Sequence, residues 1–150
     1  MHIYKPRFCL VLILSIILTS LPFHVSAQDL NSEIQAQLFP GTSPATTVYH
    51  FSEQYQEKTI FLSDKTQLHG LLFPSKKSKG LIFYLHGSND DLSTWGKISN
   101  IYTARDYDLF MIDYRGYGKS EGKFLSEQVW NQDMQEVYNE LKLHYSEDKI

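Results

Sequence analysis

The sequence predicts an α/β fold in which an antiparallel hairpin precedes a parallel sheet with crossover helices. Two short, continuous apolar runs, "GLIFYLHG" and "DLFMIDY", read as strands buried on both faces. Each is followed by a turn-rich loop and then by apolar residues spaced three or four apart, the period of a helix. Ahead of them, "YQEKTIFL" and "QLHGLLF" flank the polar turn Ser63 to Thr66, the pattern of a hairpin. Strand, loop, helix, strand, loop, helix is the order that lays a helix across each parallel connection.

The chain opens differently. Lys5 and Arg7 precede the apolar run Phe8 to Leu21, which is followed by Pro22 and the small-residue ending Val25-Ser26-Ala27. A positive end, a short apolar stretch and an A-x-A-like site describe a secretory signal peptide over residues 1–27. The expectation is therefore export, to a periplasm or the medium, with no stable membrane span once the leader is cleaved. The alternative is an uncleaved N-terminal anchor, although the run is shorter than the roughly 20 residues a spanning helix needs. Residues 28–54 follow as a polar lead-in, broken by Pro40, Gly41 and Pro44, with one helical turn around Glu33 to Leu38.

The hairpin covers Tyr55 to Leu62 and Gln67 to Phe73. After the strand "GLIFYLHG", the turn formers Ser88-Asn89-Asp90-Asp91 stop extension, and Leu92, Trp95, Ile98, Ile101 and Tyr102 predict one helix over Leu92 to Arg105, with Gly96 inside it. Asp90 and Asp91 read as helix-start residues rather than metal ligands. The strand Asp108 to Tyr114 comes next. Ser126 then caps a second helix whose apolar face is Val129, Trp130, Met134, Val137, Tyr138, Leu141 and Tyr145, with Glu127 in its positive first turn. Asp133 is expected on its polar face, and His144 near its end as a solvated residue. Asp148-Lys149-Ile150 reads as the entry to a further strand.

Composition removes several function classes. The 17 Asp/Glu all lie beyond residue 27, whereas two of the 14 Lys/Arg lie within it, so residues 28–150 carry 12 basic against 17 acidic side chains, a net charge of −5. Such a surface repels phosphate backbones, and nucleic acid is not an expected partner. Cys9 is the only cysteine and departs with the leader, which leaves neither a disulfide nor thiol chemistry for the mature chain. No metal and no cofactor are expected.

Two motifs carry chemistry. In "DYRGYGKSEGK" the residues Gly118 to Gly122 spell GxSxG, the signature of a nucleophile turn, and "GKS" hints at a phosphate loop. The phosphate reading fails, because a P-loop needs glycine where Asp113 stands. The nucleophile reading requires Ser120 on a tight corner between strand and helix; instead "RGYG" separates it from its strand and "EGKFL" from its helix. The second motif, His86-Gly87-Ser88 after a buried strand, suits an oxyanion loop: a tetrahedral O⁻ needs fixed N–H donors, and glycine lets backbone come close.

Together, in this order and each after a buried strand, "LIFYLHGSNDD" and "MIDYRGYGKSEGK" resemble the N-terminal half of the α/β-hydrolase superfamily. The likeness is to its serine aminopeptidase-like and lysophospholipase-like branch, and it covers about Tyr55 to Ile150. It implies a partial α/β-hydrolase fold over residues 55–150, ending at the start of the nucleophile strand. It assigns Ser88 as a backbone oxyanion donor, with His86 and Gly87 shaping that loop. Asp113, Arg115, Gly116, Gly118, Ser120 and Gly122 form a bracing loop beside it. The implied activity is hydrolysis of a small-molecule ester or peptide if the site is completed downstream. The nucleophile, acid and histidine of this family come later in the chain, so these 150 residues are expected to lack a triad and to be inactive by themselves. Two alternatives stand: a compact hydrolase using Ser120 with His86 or His144 as base, and a non-catalytic exported binding module.

Overall fold

The structure, a computed structural model, describes residues 27–42 and 48–150. The expected leader falls almost wholly outside them. Among the described residues no helix is long and apolar enough to cross a membrane.

Helix α1 (Ala27–Leu38) opens the described chain. It runs well past the single turn expected from sequence, because Ala, Gln, Glu and Leu dominate it and no breaker occurs before Pro40. The hairpin is β1 (Gln56–Phe61) with β2 (Gln67–Phe73). Then come β3 (Leu81–Tyr84), α2 (Leu92–Trp95), α3 (Ser99–Thr103), β4 (Asp108–Ile112) and α4 (Glu127–Leu141).

One sheet has the order β1-β2-β4-β3. β1 and β2 are antiparallel, as are β2 and β4, whereas β3 and β4 run parallel, with Leu81 opposite Asp108 and Tyr84 opposite Met111. Every residue of β4 is buried, which is why its sequence shows no alternation. β1 and β3 are the edges of this sheet, and β1 carries the exposed Gln56, Glu57 and Lys58, side chains that discourage edge-to-edge association. Gly70 of β2 stands where an added Cβ would meet the Phe110 ring at 2.7 Å and the Met111 carbonyl at 2.9 Å. The absence of a side chain there lets β2 and β4 close over the core.

The sheet is packed on both faces. On one face Val137, Met134 and Leu141 of α4 join Ile60, Leu68, Leu81, Phe110 and Ile112. On the other, Leu92, Trp95, Ile98 and Tyr102 cover Leu71, Phe73, Leu109 and Met111, joined by Tyr49 and Phe51 from the lead-in. Ser126 caps α4 by accepting from the Val129 N–H at 3.2 Å.

Two local expectations change. The helix expected over Leu92 to Arg105 is divided by a 3₁₀ turn at Gly96–Ile98, because the Phe51 ring lies against Gly96 where a Cβ would be. The close approach demands glycine, and glycine weakens the helix there. The segment Asp148–Ile150 does not extend into a strand. Glu147–Lys149 form a 3₁₀ turn whose bonds, Lys149 N–H to the Ser146 carbonyl at 2.8 Å and Ile150 N–H to the Glu147 carbonyl at 3.3 Å, satisfy the backbone locally.

Candidate functional site

The C-terminal ends of β3 and β4 meet at the loops His86–Asp91 and Asp113–Gly122. Asp113 is their hub, with a fully buried side chain. Its N–H donates to the His69 carbonyl at 2.9 Å. Its carbonyl accepts from the Ser120 hydroxyl at 2.6 Å, and Oδ1 accepts from the Leu92 N–H at 3.0 Å. His86 Nε2 lies 3.6 Å from the same Oδ1, beyond hydrogen-bond reach. Gly118 adopts φ +48°, and a Cβ on it would collide with the Asp113 carboxylate. The buried acid can therefore sit under this loop only where position 118 has no side chain.

The His86–Ser88 loop is held by two tyrosines. The Tyr114 hydroxyl donates to the His86 carbonyl at 2.6 Å and the Tyr117 hydroxyl to the Ser88 carbonyl at 2.9 Å. The His86 ring stacks on Tyr114 with centroids 4.3 Å apart. With Tyr114 packed this deeply, desolvation holds its hydroxyl protonated far above the usual phenol range. Gly87 is exposed and Ser88 half-buried, so the loop's apex faces outward while its carbonyls point into the fold. Asp90, at φ +68°, turns the chain toward α2, and Asp91 caps that helix by accepting from the Ser93 N–H at 2.8 Å.

Ser120 is a brace. It lies between the end of β4 at Ile112 and the start of α4 at Glu127, adjoining neither. Its hydroxyl donates to the Asp113 carbonyl and accepts from the His69 N–H at 2.9 Å. Neither candidate base serves it. Nδ1 of His86 donates to the Gly87 carbonyl at 2.8 Å and Nε2 faces Asp113. His144 is exposed beyond α4, 3.9 Å from Glu140. A GxSxG nucleophile at Ser120 is therefore contradicted by geometry.

Arg115 locks the loop to two other elements. Its Nε and Nη2 bind the two Asp133 oxygens at 2.6 and 2.7 Å, while Nη1 donates to Asp64 at 2.8 Å and to Thr66 at 2.7 Å. Asp133 is not on a polar face, as the helix pattern suggested, but buried at 4% exposure. The reason is tertiary: the loop after β4 curls back and brings a guanidinium onto α4. No helical periodicity reveals such a partner. His69 likewise gains partners that its sequence position concealed. Nε2–H donates to Glu57 at 2.8 Å, Nδ1 lies 3.3 Å from the Tyr49 hydroxyl, and Lys119 reaches the same Glu57 oxygen at 2.8 Å. The Lys119 ammonium, then His69, hold the Glu57 carboxyl below its usual range.

The lead-in completes the surroundings. Thr42 N–H donates to the Gly116 carbonyl at 2.9 Å, and the Thr42 hydroxyl accepts from the Gly118 N–H at 2.6 Å. Phe39 stacks on Phe124, centroids 4.1 Å apart. These contacts leave α1 beside the site, above a cavity of about 410 Å³ reached by His86 and Tyr114.

Residues 76–150 match the family described as serine aminopeptidase, S33. Over 85 residues the chain is 31% identical to the protein YfhR of Salmonella typhi, a match covering 53% of this chain and 29% of YfhR. Over 64 residues it is 33% identical to YfhR of Escherichia coli K12, covering 39% and 22%. The chain thus spans less than a third of the curated relatives it matches. Its fold is similar to that of the Pyrococcus furiosus esterase Pf2001, with a TM-score of 0.52 at 19% identity over 68% of this chain and 41% of the esterase. It is also similar to the α/β hydrolase GrgF of Penicillium sp. sh18, with a TM-score of 0.51 at 17% identity over 59% and 32%.

Asp133→Ala is expected to leave Arg115 buried with only Asp64 as its ionic partner. The cost should be about 3 kcal/mol, the low end for breaking a buried pair, read from urea unfolding. Arg115 holds the Asp64 carboxyl at about 2, below its ordinary 3.8. A depressed carboxyl contributes stability that is complete above the unfolded value and fades as pH falls toward the folded one. Between about pH 4 and 2 the wild type should therefore lose urea resistance more steeply than Asp64→Asn; parallel slopes would refute the pairing.

Proposed function

The chain belongs to the S33 serine aminopeptidase family, and from that membership we propose that its 150 residues supply the oxyanion side of an ester- or peptide-cleaving serine-hydrolase site. The Ser88 N–H serves as one donor. The observation that carries this reading is the clamped His86–Ser88 loop. Its His86 and Ser88 carbonyls are drawn inward by Tyr114 and Tyr117, and no described residue accepts a hydrogen bond from the Ser88 N–H. An N–H with no described acceptor, in a loop clamped by two tyrosines at the C-terminal end of a parallel sheet, is what a developing oxyanion requires.

The attacking oxygen comes from outside these residues. Among the described residues no serine stands at a tight strand-to-helix corner against an imidazole, and the best candidate, Ser120, spends its hydroxyl on Asp113 and His69. In the completed site a serine oxygen bonds to the substrate's carbonyl carbon. The carbonyl oxygen takes the negative charge under Ser88, the alcohol or amine leaves with a proton, and water then cleaves the acyl-enzyme. Without that serine the 150-residue chain has no turnover. Asp113, Arg115, Gly116, Gly118 and Gly122 keep the loop in place and touch no substrate.

Residues 1–27 act as an export leader in this reading, supported by Lys5, Arg7 and the apolar run that follows them. N-terminal sequencing of exported protein should begin at Gln28; a start at Met1 on washed membranes would favour the anchor instead.

The chemistry is tested with a fluorophosphonate probe. The 150-residue chain should remain unlabelled. A chain extended to include the nucleophile should label on a serine beyond Ile150, indifferent to Ser120→Ala and slowed about 10²–10³-fold by Ser88→Pro, the usual loss for one oxyanion donor. Labelling of the short chain that disappears with Ser120→Ala would overturn the reading.

A further inference from the structure

The cavity beneath α1 opens between that helix, the loops after β3 and β4, and the start of α4. Its volume, about 410 Å³, lies in the range of small-molecule sites. Ile34, Leu38 and Phe39 form one wall, and Phe124, Tyr114 and Trp130 the other. The Phe39–Phe124 stack at 4.1 Å joins the two walls, and the edge contact of Trp130 with Tyr114 at 5.6 Å lies within the second. Ile34 and Leu38 remain 46% and 57% exposed, so apolar surface is held open to water where burying it is favourable. The cavity also reaches His86, two residues before Ser88 in the same loop.

Charge narrows the occupant. Among the described residues lining the cavity, Glu127 is the one ionisable residue besides the tyrosine and histidine already tied into the site. Glu127 occupies the first turn of α4, whose N-terminus would otherwise attract an anion, and Ser126 caps the same end. A fixed carboxylate already answers the positive pole of that helix, and a second carboxylate in the cavity would meet like charge at its rim, where Glu127 is exposed.

We propose that this cavity seats the uncharged, apolar group attached to the scissile carbonyl, an alkyl or aryl acyl group, with α1 as its outer wall and Glu127 excluding free carboxylates. The assignment rests on the serine-hydrolase reading for its substrate but not for its binding. Residues of the lead-in thereby become specificity determinants, a role that nothing in residues 28–54 announces.

Binding is read with three six-carbon probes: methyl hexanoate, hexanoate and hexyltrimethylammonium. Methyl-labelled chain is titrated by NMR. Methyl hexanoate should shift the Ile34 and Leu38 methyls and leave those of Leu72 and Leu141, in the separate groove between α4 and β1, unmoved. Hexanoate should bind about tenfold more weakly, and Glu127→Gln should recover most of that difference; hexyltrimethylammonium should bind no more weakly than the ester. Leu38→Asp, at a position 57% exposed, should reduce ester affinity about tenfold or more. Shifts confined to Leu72 and Leu141, equal affinity for hexanoate and its ester, or an unaltered titration in Leu38→Asp would each overturn the proposal. In a chain extended to hold the nucleophile, binding at Ile34 and Leu38 without hydrolysis would sink the hydrolase reading alone. Hydrolysis of methyl hexanoate with a KM unmoved by Leu38→Asp would sink the cavity assignment alone.

Discussion

Asp113 is the point on which the site turns. Its carboxylate has no exposed surface, and its side-chain hydrogen bond is the one Oδ1 accepts from the Leu92 N–H, with Oδ2 buried and unpartnered among the described residues. Here its backbone and side chain reach four places: the His69 carbonyl in β2, the Ser120 hydroxyl in its own loop, the Leu92 N–H at the start of α2, and the neighbourhood of His86 after β3. Those four places are the walls of the C-terminal end of the sheet. With the acid in position, the path of the loop to Gly122 is constrained, and Gly118 becomes obligatory because the carboxylate fills its side-chain space.

Around that hub the connections run outward in a consistent direction. Tyr114, next to Asp113 in the chain, and Tyr117 hold the His86–Ser88 loop by its carbonyls. Arg115, the next residue after Tyr114, holds α4 by Asp133 and the hairpin turn by Asp64 and Thr66. Thr42 closes the loop against the lead-in. A short segment of chain therefore positions the His86–Ser88 loop, a helix and an N-terminal wall at once. The cavity under α1 exists because these attachments fix its two sides independently of any ligand.

The GxSxG string illustrates how a motif and its chemistry separate. The five residues are present, yet the physical content of the motif is a strained corner that lifts a hydroxyl above the sheet. Ser120 instead sits at 9% exposure with its hydroxyl engaged on both sides. The glycines on either side serve the loop's left-handed turns, at φ +48° for Gly118 and +77° for Gly122. What resembles a nucleophile is a serine used to fasten one loop to β2.

Sequence by itself determined the α/β class, the hairpin Gln67–Phe73 and its partner, the two parallel strands, the α4 cap at Ser126 and the two loops that face each other. Each of these depends on local information: hydrophobic period, turn formers and capping residues act within a few positions. Tertiary structure alone decided that Asp133 is buried under Arg115, that His69 joins Tyr49 to Glu57, that Phe51 divides the helix at Gly96, and that α1 walls a cavity. The partners lie 18 residues apart for Arg115–Asp133, 20 for Tyr49–His69 and 12 for Glu57–His69. A side chain's environment then depends on where the backbone returns, and no periodicity in one sequence encodes that return.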